Sequence, residues 1–473
     1  MKKAAFHTLG CKVNQYETEA IMEQFRRAGF EIVGEEDFAD CYVINTCTVT
    51  NLADRKSRQY IRRAGRRNPD AVVAVTGCYV QVHPEEAAEL EGVTVLCGTD
   101  RKHRLVELVQ EQLEKRGAET VRRTEILQHA ELTGFEDLGT IQRMAGRARA
   151  FVKIQDGCEN FCSYCIIPYA RGRNRSRRPE DVVREVRGLV DAGIREIVLT
   201  GINTANYGRD LGSGDGLSGR GGRTGLEALL AELNDLEGEF RLRLSSLEPT
   251  QIDAAYVKKL LPFDQLCHHL HLALQSGSDK VLQEMNRRYS MRDFYAITDV
   301  LRDFDPHYGI STDIIVGFPG ETEADFAGSL ETVERLAFCK THVFKYSMRD
   351  GTPAAGRKDQ VPGEVKNERS RLLLEAADRA QAAFVRENAG SVRRVLCEKE
   401  AADPVTGDGQ GIEAGALPPR PEGGTYCIGY TDNYIRTFVP FGEEEDPDGK
   451  FADVRLTMEA GLPVGIRAPG SAE

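Results

Sequence analysis

Cys158-Glu159-Asn160-Phe161-Cys162-Ser163-Tyr164-Cys165 sets three thiols at offsets of four and three. Most iron–sulfur cubanes are held by four cysteines. A clamp of three leaves one iron open to a small molecule. Cys162 and Cys165 alone also have the spacing of a zinc half-site or a redox pair. A zinc site asks for a second Cys/His pair at short distance. Here Cys158 supplies only a third ligand, and His129 lies far upstream. A redox pair has no use for Cys158. The cluster reading uses all three.

The surrounding chain is that of a globular protein. Its 473 residues are 41% hydrophobic and 29% charged, enough for two to four domains. No apolar run is long enough to span a membrane. The N-terminus Met1-Lys2-Lys3-Ala4-Ala5-Phe6-His7-Thr8 has no apolar signal core, so a cytoplasmic protein is expected. Twelve cysteines are too sparse for a disulfide scaffold and fit metal-ligating thiolates in a reducing compartment. A net charge of −12 argues against a generally sticky nucleic-acid binder. Two basic tracts, Arg55 to Arg67 and Arg171 to Arg178, instead point to localised phosphate contacts.

The first 100 residues contain a weak repeat. The apolar runs Ala4–Leu9, Cys41–Asn45 and Ala71–Thr76 end in Gly10-Cys11, Thr46-Cys47 and Gly77-Cys78. Helical segments follow, at Glu17–Gly29 and Asn51–Arg66. Strands alternating with helices predict a doubly wound parallel sheet. Ligands of such sheets sit beyond the carboxyl ends of the strands. Cys11, Cys47 and Cys78 are therefore expected to converge, making a second three-thiol set. Cys97 closes a fourth strand and is a conceivable fourth ligand. Cys41, Cys267, Cys339, Cys397 and Cys427 read as small apolar core residues.

The motifs Thr8-Leu9-Gly10-Cys11-Lys12-Val13-Asn14, Asn45-Thr46-Cys47 and Thr76-Gly77-Cys78, followed by the Cys158–Cys165 run, resemble the radical-SAM methylthiotransferases. Leu-Gly-Cys-Lys-Val-Asn is similar to the branch acting on N6-threonylcarbamoyladenosine of tRNA. The resemblance implies two [4Fe-4S] clusters, an auxiliary one on Cys11, Cys47 and Cys78 and a radical-SAM one on Cys158, Cys162 and Cys165. It implies S-adenosylmethionine (SAM) as methyl donor and radical source, a tRNA substrate, and a reducing electron donor. The reaction implied is C2 methylthiolation at position 37. Rival readings are the same chemistry on isopentenyladenosine or a ribosomal-protein aspartate, or a non-catalytic RNA-binding metalloprotein.

The domains expected are 1–135 for the doubly wound sheet, 145–385 for a partial (β/α)6 radical-SAM barrel, and 388–460 for a small antiparallel TRAM-like barrel. The central strands run through Phe151–Ile154, Glu196–Thr200, Arg241–Ser245, His269–Leu274, Ser311–Val316 and His342–Tyr346. Polar residues at their ends are the SAM candidates. Gly201 admits an amino group to backbone carbonyls, Glu248 and Gln275 reach a ribose hydroxyl, and Arg173 pairs with a carboxylate. His268, His269 and His271 read as strand or packing residues. Gly208 to Gly225 reads as a flexible insertion. In the C-terminal module, Gly429–Arg436 offers aromatic faces for bases and Arg436 for a phosphate. Yet 8 Lys/Arg against 15 Asp/Glu leave residues 391–473 at about −7.

Overall fold

Strands β1 (Lys3–Thr8), β2 (Glu31–Val33), β3 (Cys41–Thr46), β4 (Val72–Gly77), β5 (Val93–Cys97) and β6 (Arg123–Glu125) form one parallel sheet in the order β2-β1-β3-β4-β5-β6. Every residue of β3 and β4 is buried. A parallel sheet of this kind needs cover on both faces. Helix α1 (Lys12–Arg27) supplies Tyr16, Ile21 and Phe25 to one face, with Leu105, Leu108 and Leu113 beside them. Helix α2 (Asn51–Arg67) supplies Ile61 and Ala64 to the other. The expected doubly wound sheet is present. The strand order reverses between β1 and β3, so ligands are expected in the crevice there. Helix α1 begins at Lys12 rather than the expected Glu17. Its first two turns carry Asn14 and Glu17 as buried polar residues, which hide the apolar period. The computed structural model describes residues 1–115, 122–141, 148–211, 225–398, 424–442, 444–459 and 462–467. Most of the Gly208–Gly225 insertion and of the loop expected at 401–424 lies outside them.

In the central region β7 (Arg149–Lys153) is followed by a two-residue antiparallel clip, β8 (Gln155–Asp156) with β9 (Arg175–Ser176). Then come β10 (Glu196–Thr200), β11 (Arg241–Leu244), β12 (His269–His271), β13 (Gly309–Val316) and β14 (Lys340–Lys345). They pair in parallel as β11-β10-β7 and β12-β13-β14. Isolated bridges at Leu242–Leu266 and Leu247–Leu272 join the two halves into an open six-stranded wall. One large apolar core runs between this wall and its helices, with Leu199, Leu244, Leu270 and Ile314 fully buried. Strand β12 stops at His271, earlier than expected.

The C-terminal strands β15 (Val392–Glu398), β16 (Gly424–Thr431), β17 (Arg436–Gly442), β18 (Phe451–Glu459) and β19 (Leu462–Arg467) close into a barrel. The last strand is absent from the sequence reading because Pro463 and Gly465 interrupt its apolar pattern.

Two expected RNA-contact features are used internally. Arg171, Arg175 and Arg177 are buried; Arg171 and Arg175 hold Glu17 and Asp100 across the join between the first two regions, and Arg177 holds Glu185 within the second. Only Arg173 and Arg178 of that tract are exposed. Tyr434 does not offer a free face either. It stacks on His269 at 4.5 Å and on Tyr430 at 5.1 Å, under the Arg243 guanidinium. Arg241 and Arg243 pair with buried Glu196 and donate to the carbonyls of Tyr430 and Thr431. The barrel is thereby tied to the base of the central wall.

Candidate active site

The sheet brings Cys11, Cys47 and Cys78 together at its carboxyl edge. A Cβ at Gly10 would fall 2.8 Å from Cys47 Cβ, so the turn before Cys11 lies against Cys47. Gly77 has φ +100°, and a Cβ there would meet the Thr46 carbonyl oxygen at 2.4 Å. Only glycine fits this turn into Cys78. Asn14 Nδ2 donates to the carbonyls of Leu9 and Thr46, at 2.7 and 3.0 Å, lacing two strand ends to α1. Cys47 and Cys78 are buried and Cys11 is exposed. Burial, then the nearness of the Cys78 and Cys11 sulfurs, pushes the Cys47 thiol up to about 12. Burial also raises Cys78, against the pull of Arg171. Arg171 Nε donates to Cys78 Sγ at 3.3 Å. The same guanidinium is fixed by Glu17 at 2.8 Å, Asp156 at 3.1 Å and Asn14 Oδ1 at 2.6 Å. Lys102 and Lys153 complete this ion cluster around Glu17, at 3.2 and 2.7 Å.

The second set is built by one loop clipped between β8 and β9. The Cys158 amide donates to the Gly172 carbonyl and the Cys165 amide to the Cys162 carbonyl. Phe161, at φ +46°, turns the chain between them. Asn286 Nδ2 donates to the carbonyls of Asn160 and Phe161, and the Ser163 amide to Met285. Burial pushes Cys158 up to about 12, and raises Cys162 and Cys165 too. Arg287 Nη1 donates to Cys162 Sγ at 3.6 Å and pairs with Glu248 at 2.5 Å.

Five buried or half-buried thiols that resist ionisation suit a metal centre, because coordination is what makes a thiolate stable in such surroundings. A tetrahedral zinc would draw its sulfurs to about 3.8 Å from one another. Among the described residues, the one trio of His, Cys, Asp or Glu whose ligand atoms all lie within 4.8 Å is His271, Asp313 and His342. Neither cysteine set closes that tightly. The donor chemistry and the open spacing both fit a cluster better than a single ion. Cys97 is buried among Val95, Leu105 and Val109 in the apolar core.

The four SAM candidates lie in different settings. Gly201 follows β10 and packs on Gln155. Glu248 is half-buried against Arg287, and burial raises its carboxyl despite that cation. Gln275 is buried at φ +70° and joins the wall through Asp313 and Ile315. Arg173 is exposed, with no partner among the described residues. The structure gives Arg171 and His271 settings other than the phosphate-contact tract and strand-packing role expected of them, and adds Arg287, Asp313 and His342, which the sequence reading did not single out.

Two family models match the chain. An uncharacterized protein family, UPF0004, covers residues 3–98, and the Radical SAM superfamily covers 152–333. The threonylcarbamoyladenosine tRNA methylthiotransferase MtaB of Bacillus subtilis (strain 168) is 40% identical over 98% of this chain and 95% of its own length. A tRNA-2-methylthio-N(6)-dimethylallyladenosine synthase of Moorella thermoacetica is 38% identical over 78% of this chain and 81% of its own. Among solved structures, the radical S-adenosylmethionine methyltransferase TsrM of Kitasatospora setae shares the fold. Its TM-score is 0.56 at 16% identity, over 75% of this chain and 77% of that one. With two cysteine sets in place and relatives matched almost end to end, the chain belongs to the radical-SAM methylthiotransferases of the MtaB type.

Proposed function

We propose that this chain transfers a methylthio group to C2 of N6-threonylcarbamoyladenosine at position 37 of tRNA. The observation that carries the reading is the pairing of two three-cysteine sets, each with a buried arginine on one sulfur. Cys11, Cys47 and Cys78 would hold one [4Fe-4S] cluster, and Cys158, Cys162 and Cys165 the other. When bound, such clusters supply electrons to the SAM sulfonium and a sulfur for transfer. The chain's own residues prepare that chemistry. Arg171 and Arg287 each place a fixed positive charge on a ligating sulfur and offset the negative charge of thiolates. Glu17 with Asp156, and Glu248, hold those guanidiniums in place. Glu248, Gln275 and Gly201 would line the SAM side, with Arg173 at its solvent edge. The exposed Arg55, Lys56 and Arg62 on α2 would meet tRNA phosphate.

On this reading the division is 1–135 for the auxiliary-cluster region, 145–385 for the radical region and 388–460 for the barrel. The enzyme works in the cytoplasm with a reducing electron donor. No described helix is long and apolar enough to cross a membrane.

The test is mass spectrometry of tRNA nucleosides from a deletion strain. Threonylcarbamoyladenosine is expected to persist without its methylthio group. An unchanged profile removes the assignment. Loss of the methylthio group from isopentenyladenosine instead would transfer it to the second substrate, the one named for the Moorella relative.

A further inference from the structure

Where the chain past Cys47 meets the chain past β14, burial runs backwards. The Asn51 amide donates to Ser347 Oγ at 3.1 Å. Arg349 donates to Asn51 Oδ1 at 2.7 Å and to Thr48 Oγ1 at 2.8 Å, and pairs with Asp54 at 2.7 Å. Arg349, Thr48 and Asp54 are buried. The apolar residues of the same two segments face outward. Val49 is 49% exposed, Leu52 50% and Met348 46%. Each is a chain neighbour of a residue in that contact, so the three surround it.

Single exposed apolar side chains are ordinary on a surface. Three at one join, over a floor of buried polar groups, mark a surface that something covers. Its position says what. Val49 is two residues from Cys47, and Ser57 Oγ donates to the Cys47 carbonyl at 3.1 Å. A base that takes sulfur from a cluster on Cys11, Cys47 and Cys78 must reach this edge. The nucleotides beside it in the RNA then pass over the adjoining surface.

Charge agrees with that occupant. Leu52 begins the outer face of α2, which continues at three- and four-residue steps through Arg55, Lys56, Gln59 and Arg62. All five are exposed. Arg55, Lys56 and Arg62 make no ion pair with any described residue. Arg55 and Arg62 are two turns apart, about 10 Å along the axis. An apolar tip followed by unpaired cations suits a splayed nucleotide strand, with a base face on one part and phosphates on the next. The Met348 sulfur adds a favourable contact to a ring. A stable protein partner needs some 20–30 residues a side, far more than this patch supplies.

We propose that Val49, Leu52 and Met348 seat an unstacked anticodon-loop base next to the modified adenosine, with Arg55, Lys56 and Arg62 on the phosphates that follow. This rests on the function proposed above and names the surface that holds its RNA.

The test uses iron-loaded enzyme and fluorescent anticodon stem-loops carrying N6-threonylcarbamoyladenosine, intact or with one abasic ribose on either side of it. Affinity is read by anisotropy over a range of salt. In wild type, one abasic RNA should bind about 5- to 30-fold more weakly than the intact loop, the loss of one stacked base. Leu52→Gln combined with Met348→Gln should bind the intact loop that much more weakly and be indifferent to the same abasic site, with an unchanged salt slope. Arg55→Gln should instead reduce the salt slope by about one and keep the abasic penalty. Iron content reports that the variants fold. If the double variant loses iron, each single variant decides. Wild-type affinity for the intact loop in the double variant overturns the inference and leaves the patch to a protein partner. An abasic penalty that the double variant keeps in full, or that wild type lacks, overturns it too. A wild type that binds the modified loop no better than unrelated RNA, and does not methylthiolate it, removes the function itself.

Discussion

Cys158, Cys162 and Cys165 share one loop, whereas Cys11, Cys47 and Cys78 come from three strand ends. The loop set is held within its own domain, by backbone hydrogen bonds and by Asn286. The strand-end set is held by a whole sheet and by an ion cluster that reaches into the next domain. The two sets therefore have the same donors and different dependencies. Damage to the domain join should disable the strand-end set first and leave the loop set working.

The sharpest break between them is removal of one ligand from each. Cys162→Ala should abolish 5'-deoxyadenosine release from SAM, read by chromatography. Cys47→Ala should keep that release and lose methylthiolated nucleoside, read by mass spectrometry. Arg171→Met comes next. It leaves Glu17 and Asp156 short of a buried partner, which costs about 3 kcal/mol or more in denaturant unfolding of the metal-free protein. SAM cleavage should survive in the fraction that folds, because the loop set does not touch Arg171. Glu248→Gln tests the other side. Arg287 would lose its charged partner, and SAM cleavage should fall about 10- to 100-fold, as for outer-shell changes at metal sites.

The smallest effect concerns the barrel. Asp305 binds His268 at 2.8 Å and Arg393 at 2.9 Å. Burial opposes its ionisation, but the hydrogen bonds from His268 and Arg393 outweigh it and hold the carboxyl below its ordinary 3.8. A depressed folded value means this contact stabilises above that pH and is lost as pH falls through the folded value. Stability of wild type should drop more steeply than that of Asp305→Asn below about pH 4, measured by thermal unfolding. Parallel curves would show that the contact contributes nothing.

Much of this was legible because local patterns carried it. Strand-like runs alternating with helical segments announced a doubly wound parallel sheet, and glycine before Cys11 and Cys78 announced tight strand-end turns. The loop cysteines were legible from spacing alone. What stayed hidden depends on tertiary partners. Arg171 sits in a run that reads as a basic surface, and only the fold shows Glu17 and Asp156 waiting for it. Tyr434 reads as a base-stacking residue until His269 is seen against it. His271, Asp313 and His342 are far apart in sequence, and parallel register alone makes them neighbours.

The central claim is that two separate cysteine sets each hold a cluster in one protein. Iron and acid-labile sulfide counts on anaerobically reconstituted wild type, Cys47→Ala and Cys162→Ala test it most directly. The account predicts about eight irons in wild type and about four in each variant, with SAM cleavage surviving only in Cys47→Ala. Zinc in place of iron, or an iron count that either substitution leaves unchanged, would contradict it.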